Sequence, residues 1–203
     1  MELPLININS YFLIILIIIA LFFDLTRKRI PNFLTFPAII WGMVSFTVVD
    51  GFSGLWFSFS GLLVGLAIFF IPFAMGGMGG GDVKLLGAVG ALQGWQFVLA
   101  VGILTAVVGG VMAIVYLIIQ GRLLRVLKKA VGYVLTPFFS FLYIRTDVEL
   151  FNGAVAFFSK SEPEKEEPAR MPYGVAIATG VVIMMAVSVF PWGESYLSYF
   201  PWI

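Results

Sequence analysis

Two acids, Asp24 and Asp82, are the residues whose type and setting offer chemistry. Each stands at the edge of a long apolar run, and Asp82 directly follows Gly76-Gly77-Met78-Gly79-Gly80-Gly81. A carboxylate beside a membrane segment is costly enough to raise a functional hypothesis by default. Two carboxylates that share one proton can activate a water and protonate a leaving amine, the chemistry of aspartic proteases. The glycines free the backbone and allow another chain to come close, at a cost in order that apolar packing must offset. The plainer reading of each acid alone is a helix cap or a solvated interfacial residue.

The remaining composition narrows the chemistry to carboxylates. The 203 residues contain no cysteine and no histidine, which removes disulfides, thiolate nucleophiles, Cys/His zinc sites and any His-dependent triad. No metal and no organic cofactor is expected. The glycine loop also fails as a phosphate cradle. From Gly76, a Walker A loop requires Lys after Gly81, and a dinucleotide fingerprint from Gly77 requires glycine at the same place; Asp82 stands there in both cases and would repel phosphate. No nucleic-acid partner is expected either.

The elements that must position the acids are helices in a bilayer. With 61% hydrophobic and 11% charged residues, the chain is too apolar for a soluble domain of its length. Its apolar runs suit helical spans and lack the sustained alternation of a β-barrel. The expected fold is an all-α polytopic membrane protein of about six transmembrane helices. The first, at 8–26, is retained rather than cleaved, because no basic n-region precedes Arg27. Ile30-Pro31-Asn32 turns the chain, with Asn32 as N-cap, into a span at 33–49. Asp50-Gly51 marks the next turn, and spans follow at 54–75 and, after a short helix at 82–93 and a break at Gln93-Gly94, at 96–119. The pairs Gly61/Gly65 and Gly90/Gly94 read as close helix packing. Residues 121–171 are expected to form a cytoplasmic insertion, a basic amphipathic helix with Arg122, Arg125, Lys128 and Lys129 followed by the polar stretch 159–170. Whether 131–144 dips into the bilayer stays open. A last span covers 172–190, and an aromatic tail suits the interface.

With six spans and the N-terminus outside, all 12 Lys and Arg fall on the cytoplasmic side. Asp24 and Asp82 then share that face. Asp24 lies near a helix C-terminus, where the macrodipole disfavours negative charge, and Asp82 at a helix N-terminus, where it is favoured. The contrast makes Asp82 the expected base and Asp24 the expected proton donor, although a coupled dyad titrates as a pair.

Gly79-Gly80-Gly81-Asp82 has the form GxGD, Asp24 shortly precedes Ile30-Pro31-Asn32, and Met171-Pro172-Tyr173-Gly174 opens the last span. In these three motifs the chain resembles the type IV prepilin peptidases, membrane aspartyl proteases of the GxGD class. The presenilin-like branch is less similar, for there is no Pro-Ala-Leu motif and Phe23 precedes Asp24. The resemblance implies a multi-pass protein of the cytoplasmic (inner) membrane that removes the short basic leader of prepilin-like precursors at the cytoplasmic face. It implies Asp24 and Asp82 as the catalytic pair, with Gly79, Gly81, Lys84, Pro31, Pro172 and Gly174 at motif positions. Many bacterial members carry a cytoplasmic domain with paired cysteines, associated with methyl transfer. With no cysteine here, the expectation is a compact form, one membrane peptidase domain over 1–203. The partners implied are precursor proteins and the lipid bilayer. The alternative from another class is a pore or transporter in which the two acids line an ion or proton path.

Glu162, Glu164, Glu166 and Glu167 lie in the polar stretch, and their composition is that of a solvated linker, with steering of a basic leader as the rival role. Changing all four to glutamine is expected to leave the rate of precursor cleavage at low salt unchanged, and a slowed rate would mark them as steering charges.

Overall fold

The length of the apolar stretches forces breaks in them, and two glycines supply these. The structure, a computed structural model, describes residues 4–127, 131 and 173–189. Four helices carry it: α1 (Pro4–Arg27), α2 (Asn32–Ala74), α3 (Gly80–Ile119) and α4 (Tyr173–Val189). The described residues are all helix and connecting turns, and α1 from Ile8, α2 and α3 are each long and apolar enough to cross a membrane. A straight helix of 43 residues such as α2 would run about 65 Å, twice a hydrocarbon core of about 30 Å.

Both long helices fold back on themselves. In α2 the backbone leaves the helical region at Gly51 (φ 60°, ψ −134°). The rings of Phe46 and Phe57 then meet at 5.1 Å, where a straight helix would part these residues by about 16 Å. In α3 the break is Gly94 (φ 83°, ψ 175°). From Leu86 to Gly94 the facing residues on α2 descend from Gly65 to Phe57, and by Gly102 they have climbed back to Ile68. Only glycine adopts such positive φ without strain. The expected turns at Asp50-Gly51 and Gln93-Gly94 therefore stand, and each long helix is a hairpin of two segments, 32–50 with 52–74 and 80–93 with 95–119.

Contacts along these segments fix their directions. α1 runs antiparallel to the first half of α2: Trp41 Nε1 donates to Asn9 Oδ1 at 3.0 Å, Phe12 stacks on Trp41, and Phe23 meets Phe33 edge-on. The first half of α3 is antiparallel to α1, with Gln93 Nε2 donating to Ser10 Oγ at 3.2 Å. α4 lies antiparallel to the second half of α3, Gly109 facing Tyr173 and Ala176, and Gly180 facing Thr105 and Val101. The segment 82–92 is the centre of the bundle, where Leu85, Leu86, Ala88, Val89, Ala91 and Leu92 are all buried. Outward positions such as Ile15, Ile18, Phe22, Val48 and Ile103 stay exposed and apolar, as lipid contact requires.

Two local expectations are corrected. Asn32 does not cap α2: Pro31 occupies the N-cap in extended backbone without a side-chain cap bond, and Asn32 is the first helical residue. α3 begins at Gly80 rather than at Asp82, so the last two glycines of the loop lie in its first turn. By packing, the described residues up to Gly110 form one compact unit with α4, and the described residues from Val111 to 131 belong to another. In the second, α3 ends with Gly121 at φ +66°, and a helical turn follows at 123–127. The expected features at 132–144, 159–170 and 190–203, and Pro172, lie outside the described residues.

The glycine contacts in the centre generate a stability prediction. A Cβ at Gly61 or Gly90 would strike the other's backbone carbonyl, whereas one at Gly110 would meet nothing within 4 Å. Gly61→Ala and Gly90→Ala are each expected to destabilise the protein by about 1–3 kcal/mol in detergent, with Gly110→Ala neutral, as read by reversible unfolding.

Candidate active site

Asp24 and Asp82 come together through helix register. Asp24 lies 14 residues beyond Ser10 on α1, and Asp82 lies 11 residues before Gln93 on α3 (24 − 10 and 93 − 82), counted from a pair in direct contact. At about 1.5 Å per residue, antiparallel segments carry both acids to the same end of the bundle. They are near enough to interact electrostatically. Both are buried, Asp24 at 5% and Asp82 at 7% exposure, which excludes the solvated interfacial role for either. Among the described residues neither forms a salt bridge.

Backbone groups reach both acids. Gly174 N–H donates to Asp24 Oδ2 at 2.8 Å, across 150 residues of sequence. Asp82 sits in the first turn of α3, its own N–H donating to Gly79 O at 3.1 Å and its Oδ2 lying against Gly79. Gly81 faces the turn after α1: a Cβ there would stand 3.1 Å from the Ile30 Cβ and 3.2 Å from its backbone nitrogen. The glycine loop thus lets the Ile30-Pro31 turn press against the start of α3. Gly76, at φ +76°, reverses the chain after α2.

Lys84 and Asn32 tie the same turn from the other side. Lys84 Nζ donates to Asn32 Oδ1 at 3.0 Å and lies 5.8 Å from the centre of the Phe36 ring. Arg27, in the last turn of α1, lies over Phe23. Of the expected site residues, Asp24, Asp82, Gly79, Gly81, Lys84, Pro31 and Gly174 gather at this end. Asn32, as the acceptor for Lys84, and Ile30, as the residue facing Gly81, were not singled out for these roles. Their place beside Pro31 in the turn motif was the available signal.

α4 changes the electrostatic picture drawn from α1 and α3. Its N-terminus, with free N–H groups and the positive end of a helix dipole, points its Gly174 amide at Asp24. The unfavourable α1 terminus is therefore opposed, and helix dipoles no longer set the two acids apart. No group of three or more His, Cys, Asp or Glu among the described residues is placed to hold a metal ion.

Residues 11–114 match the type IV leader peptidase family, a stretch that includes both acids and makes up just over half of the chain. The chain belongs to this family. It is 34% identical over 114 residues to the prepilin leader peptidase/N-methyltransferase of Aeromonas hydrophila and 32% identical to that of Aeromonas salmonicida. Each match covers 52% of this chain and 39% of the relative, so the chain matches well under half the length of these leader peptidases. No solved structure matches it. Gly174 lies beyond the matched stretch, and it is the fold that places it with the leader-peptidase segment.

The Lys84–Asn32 contact gives a measurable coupling. In a double-mutant cycle with Lys84→Met and Asn32→Ala, unfolding in detergent is expected to show an interaction energy of about 0.5–1 kcal/mol, reduced from a buried charged hydrogen bond by its exposure.

Proposed function

We propose that this chain is a membrane aspartic endopeptidase that cleaves the basic leader from type IV prepilin-like precursors at the cytoplasmic face. The observation that carries the reading is the meeting of two buried acids, Asp24 and Asp82, at one end of the bundle in a chain of the leader-peptidase family, with no cation paired to either among the described residues. The placement of all 12 Lys and Arg on one side, under six spans with an outside N-terminus, supports a cytoplasmic site in the inner membrane.

The mechanism follows from carboxylates alone. Two acids in each other's field and away from water share one proton. The ionised member takes a proton from a water molecule as the water oxygen adds to the scissile carbonyl. The protonated member hydrogen-bonds the carbonyl oxygen. Collapse of the tetrahedral adduct breaks the C–N bond, and a proton from the pair goes to the leaving nitrogen. The products are the free leader carboxylate and the amino terminus of the mature protein. Since Gly174 supplies a donor to Asp24 and α3 supplies its N-terminus to Asp82, the proton belongs to the pair.

Incubating the purified protein with a prepilin-like precursor is expected to give the shortened product. Asp24→Asn and Asp82→Asn are each expected to lower turnover by about 10³-fold or more while the protein stays inserted and folded. Substantial turnover in either variant would reject the dyad, and an intact precursor with the native protein would turn the reading towards an ion path.

A further inference from the structure

We infer that the backbone amide of Gly174 is the positioning group for Asp24, and that position 174 must lack a side chain for the amide to reach the carboxyl. The inference rests on the reading of Asp24 as half of the dyad. Gly174 is the second residue of α4 (Tyr173–Val189), so its N–H lies in the first turn, and among the described residues it has no intrahelical acceptor. It is spent instead on Asp24 Oδ2, at 2.8 Å and buried. This is the one hydrogen bond to the Asp24 carboxyl among the described residues, and it engages Oδ2.

The space at 174 is as specific as the bond. A Cβ there would stand 2.6 Å from Asp24 Oδ2, 2.9 Å from Cγ and 3.0 Å from the Asp24 Cβ, so every other residue type drives the carboxyl and the amide apart. α4 cannot retreat cheaply. A Cβ at Gly180 would lie 2.9 Å from Thr105 Oγ1 and 3.1 Å from Val101 O, so the helix already sits tight against α3, and Ala176 and Ile177 are fully buried. A carboxyl held through one oxygen loses rotation about its last torsion, which is the freedom that would otherwise blur the geometry of proton transfer. Pre-set donors aimed at a charge cost no reorganisation when the reaction occurs.

Replacing Gly174 by glycolic acid, which turns the 173–174 peptide bond into an ester, removes the donor and adds no side chain. Among the described residues that N–H has no helical acceptor, so the bond removed is the one to Asp24. The ester protein is expected to keep KM within twofold and to lose about 10- to 100-fold in kcat, the loss for a hydrogen bond to a charged group. Gly174→Ala is expected to lose at least as much, and Gly110→Ala nothing. A packing role alone predicts the opposite for the ester, a kcat like that of the native protein, and that result would overturn the inference. A second readout needs no turnover: the Asp24 carboxyl band, isolated by isotope-edited infrared difference against Asp24→Asn, should shift in the ester protein. An unshifted band overturns the inference too. If the native protein cleaves no precursor, the endopeptidase reading falls while the infrared band still decides on the amide.

Discussion

Two carboxylates are kept almost wholly from water at one end of the bundle, at 5% and 7% exposure, and that is the constraint to which the rest of the structure answers. Withdrawing an ion from water costs several kcal/mol unless other groups compensate. The usual compensation, a lysine or arginine, would fix both acids in the ionised state and end any sharing of a proton. Among the described residues the compensation is backbone: the Gly174 amide for Asp24, and the first turn of α3 for Asp82. Backbone donors lower the cost of a negative charge without contributing a titrating proton of their own. A pair supported in this way can still exchange one.

Backbone support has a geometric requirement, since a peptide group reaches a carboxyl only if nothing stands between them. That requirement explains the glycines near the acids. Gly174 leaves room for Asp24, and Gly81 leaves room for the Ile30-Pro31 turn that leads from α1 into α2. Farther along, Gly42 and Gly61 let both halves of α2 close on α3, and Gly65 does the same beside Leu86. In a bilayer the hydrophobic effect does little to hold helices together, so close backbone approach carries much of the association. The same contacts that give the bundle its packing therefore set how far apart the acids stand.

Much of this was legible in the sequence, for stated physical reasons. Asp24 and Asp82 stand out because an acid at the edge of an apolar run is expensive. The breaks at Gly51 and Gly94 stand out because an uninterrupted helix of that length would overshoot a bilayer. The helical class and the family followed from hydropathy and from three short motifs. What stayed hidden were interactions between backbone and side chain that join distant segments. Asn32 has the composition of a cap and acts as a partner for Lys84, because Pro31, fixed near the φ it needs, already opens the helix. The amide of Gly174 has no side chain to advertise it, and its acceptor lies 150 residues away. With its arrival, the dipole contrast between α1 and α3 ceased to distinguish the two acids.

Lys84 shows how the motifs depend on one another. It lies two residues past Asp82, and at about 100° per residue the two side chains leave α3 on nearly opposite sides. A lysine so close in sequence is thereby kept from pairing with the acid, and its charge is spent on Asn32 Oδ1 and the face of Phe36. Those two residues belong to the first turns of α2, and the turn just before them carries Ile30, which rests on Gly81. The chain of contacts runs from Asp24 through the end of α1 to Ile30, across to Gly81, and so to Asp82. Lys84 closes it from outside. Turned to the outer side, the Lys84 charge stays out of the field between the two carboxylates, where a cation on the inner face would hold both of them ionised.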